Sequence, residues 1–295
     1  MLAQSRRLHR TVVRALSTSA ASQGVVSFSH DSQDALVNYL VQNGVVRTPG
    51  VELVLRAVDR RDFTATHWGL PAQVLQAYSD SQVAIGQGQT ISSPSLHAEA
   101  LELLAGHALP GAAAMDVGAG SGYVAACLSL MVGPSGRVVA LERHQRLVEH
   151  AGWVLARTLS VILGGIQQHA QGGQPRDGVT RVRVHNIELC HGNVLDEVVL
   201  SAAVALPADA GREQADAGPA PLFDAIHVGA TARQVPPQLA ALLRPGGRMV
   251  LALGPPVGLQ TLSVVDKAAD GSLSVSPVRE VKLPPLAPPN AERPL

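Results

Sequence analysis

A glycine-rich turn between an apolar strand and a helix is the part of this 295-residue chain best suited to chemistry. The strand-like segment 113–117 leads directly into Gly118, Gly120 and Gly122, and helix-forming residues follow. Glycines let the backbone approach a ligand closely because they carry no Cβ, and the first N–H groups of the next helix point at that ligand. A second apolar strand ends in Glu142, whose carboxylate can hold a ribose diol. The pattern predicts a cofactor site.

The spacing of these glycines separates two classes of cofactor. Dinucleotide-binding enzymes place the third glycine at the sixth position of the motif, where this chain has Tyr123. The GxGxG spacing resembles that of S-adenosylmethionine-dependent methyltransferases instead. Two alternatives stay open at this point: a dinucleotide-binding oxidoreductase, and a strand-to-helix turn that binds no ligand.

Composition narrows the class of protein. The chain is 46% hydrophobic and 16% charged, enough to build the core of one large domain. Lys+Arg and Asp+Glu both number 23, so no net field favours nucleic acid or a membrane surface. Cys127 and Cys190 match neither metal-ligand nor disulfide spacing, which indicates a reducing compartment and no metal site. No apolar run reaches the roughly eighteen residues of a transmembrane helix.

The first thirty residues differ from the rest of the chain. They contain no Asp or Glu, and four arginines between residues 6 and 14 alternate with apolar side chains. This composition resembles an organellar transit peptide and predicts a mitochondrial location. A disordered basic tail on a cytoplasmic protein is the alternative.

Hydrophobic periodicity predicts an α/β architecture. Strands and helices alternate between residues 113 and 253, which implies a parallel sheet covered by helices. An antiparallel hairpin that turns at Asp270-Gly271 is predicted to follow, and residues 62–91 are predicted to be irregular. The predicted helices are 34–42, 49–58, 93–105, 121–132, 145–157 and 235–243, and the predicted strands are 113–117, 137–142, 181–189, 223–229, 247–253, 262–267 and 273–282.

Four separated motifs resemble one family, the protein-L-isoaspartate (D-aspartate) O-methyltransferases. They are IGQGQTIS at 85–92, MDVGAGSGY at 115–123, FDAIHVGA at 223–230 and RPGGRMV at 244–250. The resemblance implies the Rossmann-like, seven-stranded methyltransferase fold, with a mostly parallel sheet, a C-terminal antiparallel hairpin and a helical N-terminal addition. Residues 31–290 would form this single domain after a leader at 1–30. The Gly- and Pro-rich segments at about 164–178 and 201–221 are predicted to be surface insertions.

The resemblance also assigns residues to the site. Ser92 matches the active-site serine of the family, whereas Ser93 is predicted to cap the helix that begins at Pro94. Packing is predicted for His227 and Trp153, and a role in the core stays an alternative for His97. The cofactor, S-adenosyl-L-methionine, would contact Gln89, Thr90, Ile91, His97, Asp116, Gly118, Gly120, Ser121, Glu142, Gly192 and Asn193.

Asn193 departs from the family pattern, which usually has Asp at this position. Its neutral amide oxygen still accepts a hydrogen bond from an adenine amino group, so we expect adenine binding to be weaker and not lost.

The implied reaction moves a methyl group from S-adenosylmethionine to the α-carboxylate of an L-isoaspartyl residue in a damaged protein, with D-aspartyl residues as an open second substrate. A carboxylate with a pKa of about 4 is already ionised at neutral pH, so no general base is required. Ser92 would orient this carboxylate. The expected partners are isoaspartyl peptides and proteins, with no nucleic acid or membrane, and the expected state is a monomer. A non-catalytic adaptor and an oxidoreductase are the alternatives.

Overall fold

The computed structural model describes residues 30–64, 76–163, 171–172, 180–196, 200 and 223–286. The predicted leader, apart from residue 30, and the predicted insertion at 201–221 lie outside these residues, as does most of the insertion at 164–178. Those predictions stay predictions.

Helices and strands alternate along the described chain, as the periodicity predicts. A single turn of 3₁₀ helix, Arg60–Phe63, follows the second helix. The helices are α1 (Gln33–Gln42), α2 (Pro49–Ala57), α3 (Pro94–Leu104), α4 (Tyr123–Val132), α5 (Gln145–Ile162) and α6 (Pro237–Leu242). The strands are β1 (Val83–Gly86), β2 (Gln89–Ile91), β3 (Ala113–Val117), β4 (Arg137–Glu142), β5 (Gln171–Gly172), β6 (Arg181–Val184), β7 (Ile187–His191), β8 (Phe223–Ala232), β9 (Leu243–Leu253), β10 (Gln260–Lys267) and β11 (Leu273–Val281).

The described part of the main sheet has the strand order β11-β10-β9-β8-β3-β4-β7-β6-β5. Its centre is parallel, because β7, β4, β3, β8 and β9 all run in one direction. The predicted C-terminal hairpin, β10 and β11, adds antiparallel strands at one edge. These seven strands confirm the predicted methyltransferase fold, and β6 and β5 extend the sheet beyond β7.

Both faces of the parallel centre of the sheet are buried, as expected for parallel strands with helices on each side, whereas the edge strand β11 is exposed. Ala114 and Val138 belong to the apolar cluster that α1 to α5 cover. Their neighbours Met115 and Val139 point to the opposite face, where α6 contributes to a second cluster. Because side chains alternate along a strand, Asp116 lies on the same face as Ala114.

The predicted single strand at 181–189 is wrong. The chain instead turns at His185 and Asn186, so that β6 and β7 pair antiparallel with Val184 opposite Ile187. His185 has a φ of 56°, in the left-handed region where histidine is more common than most residues. The Asn186 side chain donates to the carbonyl of Gly133 at 2.8 Å, beyond the end of α4. This tertiary contact fixes a turn that the local apolar pattern hides.

Residues 85–92, predicted to be an irregular loop, belong to a small two-stranded sheet. β1 and β2 pair antiparallel, with Val83 opposite Ile91. Gln87 and Gly88 form the turn between them, and both have positive φ angles, 51° and 65°. The hairpin leads directly into Ser92 and then α3.

Candidate active site

The loops after β3, β4, β7 and β8 enclose a cleft of about 480 Å³ at the carboxyl ends of these parallel strands. Such clefts form where neighbouring strands connect in opposite directions, which here is between β3 and β8. The cleft is lined by seven of the predicted site residues: Gln89, Thr90, Gly118, Gly120, Glu142, Gly192 and Asn193.

A much smaller cavity of about 40 Å³ shares some of its walls with the cleft. Thr90, Gly118 and Gly120 line both spaces. The remaining predicted site residues line this cavity only, and they are Ile91, Ser92, His97, Asp116 and Ser121. The structure therefore brings all twelve predicted residues to two adjoining spaces.

The glycine turn has the geometry that the sequence predicts. Gly118, Gly120 and Gly122 have φ angles of 77°, 56° and 89°, a region that other residues rarely adopt. The backbone N–H of Gly118 donates to the carbonyl of Leu141 at 2.9 Å, which ties the turn to β4. The turn thus presents main chain to both spaces, as a closely bound cofactor requires.

Glu142 is buried at the end of β4 and holds two backbone amides. Its Oε2 accepts from the N–H of Gly120 at 3.0 Å, and its Oε1 accepts from the N–H of His144 at 2.8 Å. Burial raises the pKa of this carboxyl above its usual value, although both amide hydrogen bonds oppose the shift. Glu142 is not a solvated side chain at the end of a strand, because only 5% of the residue is exposed. Each carboxylate oxygen can accept a second hydrogen bond, so a ribose diol still fits.

Asp116 is bonded to a histidine from the neighbouring strand. Its Oδ1 lies 2.8 Å from Nδ1 of His227, the residue opposite it in the β3–β8 register. Its Oδ2 is also buried and has no hydrogen-bond partner among the described residues. Buried acceptors are nearly always satisfied, so this oxygen fits a ligand that brings a donor, such as an amino group.

His227 is buried, as the packing prediction implies, and it also bonds to Asp116 and lines the small cavity, which that prediction did not include. The sequence holds a weak signal for this site. Asp116 and His227 each lie two residues before a glycine at the end of an apolar segment. Parallel strands with such matching ends place both polar side chains at one edge of the sheet.

Ser92 lies between β2 and α3, and His97 lies in the first turns of α3. Both line the cavity with Asp116 and His227, but no hydrogen bond joins Ser92 to His227 in the described ranges. Burial, with the nearby Arg60 and His227, holds the pKa of His97 well below its usual value, so its ring is neutral. The polar groups therefore converge without forming a nucleophilic triad.

The predicted N-cap residue of α3 is confirmed, but the capping hydrogen bond expected from its side chain is not formed. Ser93 occupies the N-cap position before Pro94, but its side chain makes no capping hydrogen bond. Its Oγ lies 3.2 Å from Oγ of Ser95 instead.

Asn193 lies in the loop after β7 and lines the cleft. Its Oδ1 accepts from the backbone N–H of Leu195 at 2.9 Å. An amide oxygen has two lone pairs and can accept more than one hydrogen bond, so this contact is compatible with an adenine amino group.

The described ranges contain no group of three or more His, Cys, Asp or Glu residues able to hold a metal ion. They also contain no helix with the length and apolar character needed to cross a membrane.

The parallel sheet with its C-terminal antiparallel hairpin, the GxGxG turn after β3 and the acid at the end of β4 together define an S-adenosylmethionine-dependent methyltransferase, because a dinucleotide-binding turn would have its third glycine where this chain has Tyr123. The family model described as protein-L-isoaspartate(D-aspartate) O-methyltransferase matches residues 31–171 and 201–290. The chain belongs to this family. It is therefore a protein carboxyl methyltransferase with S-adenosyl-L-methionine as its cofactor, which confirms the predicted class of enzyme.

Relatives and solved structures agree with this membership. A protein-L-isoaspartate O-methyltransferase of Triticum aestivum is 38% identical over 258 residues, covering 88% of this chain and 92% of the relative. Protein-L-isoaspartate O-methyltransferase 1 of Arabidopsis thaliana is 34% identical over 261 residues, with the same coverage. A Plasmodium falciparum crystal structure assigned to this enzyme, in complex with S-adenosyl-L-homocysteine, matches with a TM-score of 0.65 and 24% identity. The match covers 88% of this chain and 99% of that one, and it supports the fold.

Proposed function

We propose that the protein repairs damaged proteins by transferring the methyl group of S-adenosylmethionine to the α-carboxylate of L-isoaspartyl residues, with D-aspartyl residues as a second substrate. The observation that carries this proposal is the small cavity that adjoins the cleft. Ser92, His97, Asp116 and His227 line it together, while Thr90 belongs to both spaces. A polar cavity that shares walls with a nucleoside-sized cleft suits a reaction between two bound molecules.

The cleft would hold the nucleoside half of the cofactor. Glu142 would accept hydrogen bonds from the ribose hydroxyls, and Gly192 and Asn193 would contact the adenine. When bound, the cofactor supplies a sulfonium methyl group that an anion can attack. Gly118, Gly120 and Ser121 would lie beneath its ribose and methionine parts, next to Gln89, Thr90 and Ile91. In the cavity, the free Oδ2 of Asp116 would accept from the amino group of the methionine.

Catalysis in this proposal needs alignment and dehydration. The attacking carboxylate is ionised at neutral pH, so no residue has to remove a proton from it. Ser92 would donate a hydrogen bond that holds the carboxylate in line with the methyl group. Partial exclusion of water would then bring the anion and the cationic donor into direct contact.

The substrate partner in this proposal is an isoaspartyl-containing segment of a protein. Equal numbers of basic and acidic residues give the chain no net charge to attract nucleic acid or a membrane surface. We propose that the enzyme acts as a monomer, because it needs access to many unrelated damaged chains.

Labelled methyl transfer to isoaspartyl peptides and to matched aspartyl peptides tests this function. We expect labelling of the isoaspartyl peptide only. Ser92→Ala should lower turnover by about ten- to a hundredfold with cofactor affinity almost unchanged, since it removes alignment and no proton acceptor.

Ser93→Ala is the matched control, because it removes a neighbouring hydroxyl that makes no capping bond. It should leave turnover intact and change stability by less than about 0.5 kcal/mol. Loss of turnover in Ser93→Ala and not in Ser92→Ala would contradict the assigned active-site serine. Equal labelling of both peptides would contradict the substrate class.

We also propose a mitochondrial location, on the basis of the acid-free, arginine-rich residues 1–30. Residues 1 to about 22, fused to a fluorescent protein, should direct it to mitochondria, and their removal should leave catalysis unchanged. A diffuse cytoplasmic signal would overturn the location without affecting the catalytic proposal.

A further inference from the structure

Arg60 is a buried cation behind the small cavity, and no carboxylate of the described residues forms an ion pair with it. Its side chain is bonded through Nε to the carbonyl of Ala77 at 2.9 Å and through Nη2 to that of Ser81 at 3.4 Å. Its Nη1 lies 3.4 Å from Nδ1 of His97. Burial lowers its pKa to about 10, so it stays protonated at neutral pH. A buried charge without an ion-pair partner is costly, and its position therefore calls for a reason.

The contact with His97 determines where the proton of that ring resides. A guanidinium has only donors, so Nδ1 of His97 must be the acceptor. Because burial, Arg60 and His227 keep the ring neutral, its single proton is on Nε2. Nε2 has no hydrogen-bond partner in the described ranges, and the ring lines the cavity. Tyr123, with its ring centroid 5.2 Å away, packs against the imidazole and holds it in place.

We propose that Arg60 is a positioning residue that fixes His97 in the Nε2–H form, so that His97 donates a hydrogen bond to a carboxylate in the small cavity. This carboxylate belongs either to the methionine part of the cofactor or to the isoaspartyl substrate. For both sources the inference rests on the proposed function. The positive charge of Arg60, held behind the ring, favours an anion in the same place. Anchoring of residues 77–81 through their carbonyls is the competing explanation for Arg60.

The form of the His97 ring can be measured directly. Long-range ¹H–¹⁵N correlation spectra of the whole protein distinguish a protonated from an unprotonated ring nitrogen, and His97→Gln identifies the signal. We expect Nε2 to be protonated and Nδ1 unprotonated in the wild-type protein. In Arg60→Met this preference should be lost. A wild-type His97 with its proton on Nδ1 would overturn the proposal, as would an unchanged ring in Arg60→Met.

Binding measurements identify which carboxylate is held. S-adenosylhomocysteine carries the amino-acid tail, whereas 5′-methylthioadenosine lacks it. If the tail is held, Arg60→Met should bind S-adenosylhomocysteine about ten- to a hundredfold more weakly and methylthioadenosine almost unchanged. If the substrate is held, both affinities should stay constant and the dissociation constant of an isoaspartyl peptide, measured with S-adenosylhomocysteine bound, should rise. Unchanged values in all three measurements would overturn the proposal.

Arg56→Met is the matched control. Arg56 is half-buried on α2, where it pairs with Glu52 at 2.7 Å and Asp34 at 3.1 Å, and it lines neither space. It should change none of the three measurements. If Arg60→Met does not fold, Arg60→Lys replaces it, because lysine keeps the charge but loses the planar fork that reaches three acceptors.

A double-mutant cycle separates positioning from anchoring. If Arg60 acts through His97, adding Arg60→Met to His97→Gln should weaken binding by less than about threefold further, while the losses of thermal stability still add. Fully additive losses of affinity would overturn the proposal. Neither the spectra nor the binding assays require methyl transfer, so an inactive wild-type protein would count against the proposed function alone.

Discussion

The two acids of the site, Glu142 in the cleft and Asp116 in the cavity, are used in different ways. Glu142 holds the amides of Gly120 and His144 with its two oxygens, so the loop itself organises this carboxylate. Asp116 has one oxygen bonded to His227, and its other oxygen is buried without a partner in the described ranges. Both carboxylate oxygens in the cleft thus have hydrogen-bond partners within the protein, whereas one carboxylate oxygen in the cavity is left to accept a hydrogen bond from a ligand.

This difference indicates that the nucleoside and the methionine part of the cofactor depend on different kinds of contact. In the cleft, a ligand adds bonds to an acid that is already in place. In the cavity, a ligand supplies the bond that the fold leaves unmade, and unsatisfied buried acceptors are costly. We therefore expect substitutions in the cleft to lower cofactor affinity partly by disturbing the loop. Substitutions in the cavity should lower it only by removing a direct contact with the ligand.

Substitution of Gly120, which lines both spaces, should have the largest effect. Gly120→Val should abolish measurable cofactor binding with the fold retained, because its φ of 56° disfavours any side chain and a Cβ would lie 3.0 Å from Cδ1 of Ile85. Calorimetry with S-adenosylmethionine measures the loss. Gly133→Val is the control, since its φ of 65° imposes similar strain and no atom lies within 4 Å of its Cβ position. Equal affinity losses in the two variants would show that general strain, and not the site, is responsible.

The second prediction concerns the cleft. Glu142→Ala should cost roughly 1.5–3 kcal/mol of cofactor affinity, the range for hydrogen bonds to a charged group. Since its pKa lies above the usual value, Glu142 takes up a proton at a higher pH than an exposed glutamate does. Protonation removes the charge that accepts from the ribose, so wild-type affinity should fall as the pH drops through this raised pKa and should be constant above it.

Calorimetry across this range tests the role of Glu142, and Glu142→Gln should lack the fall in affinity. Less than a threefold change in the dissociation constant of Glu142→Ala would mean that another group holds the ribose.

The smallest of these effects is expected in the cavity. Asp116→Asn keeps a neutral acceptor but loses the charge, so we expect about a tenfold loss of cofactor affinity, near the lower end for charged hydrogen bonds. Methylthioadenosine, which lacks the amino group, should bind the variant as it binds the wild-type protein.

Asp224→Asn provides the control for Asp116→Asn. Asp224 accepts from Ala113 N–H at 2.8 Å and from Arg244 at 2.7 Å, away from both spaces. It should lower thermal stability and leave affinity intact. An equal loss of affinity for both ligands in Asp116→Asn would place the aspartate under the nucleoside instead.

Strands that depend on local patterns were predictable from the sequence. β3 and β4 begin and end at the predicted residues, because each is an apolar run bounded by turn-forming residues. The break between β6 and β7 was not predictable, because it depends on the contact between Asn186 and Gly133, far apart in the chain. The missing cap bond of Ser93 has a local origin instead, since the hydroxyl turns to Ser95, two residues further along the chain.

The sequence by itself determined the chemistry available at the site: a glycine turn, an acid near the carboxyl end of each of two neighbouring strands, and a serine before a helix. Residue type and spacing along the chain suffice for such local features. Only the tertiary structure decided which of these groups meet. Asp116 and His227 are 111 residues apart, and Arg60 and His97 are 37 apart. Strand register brings the first pair together, and packing of the 3₁₀ turn against α3 in the core brings the second pair together.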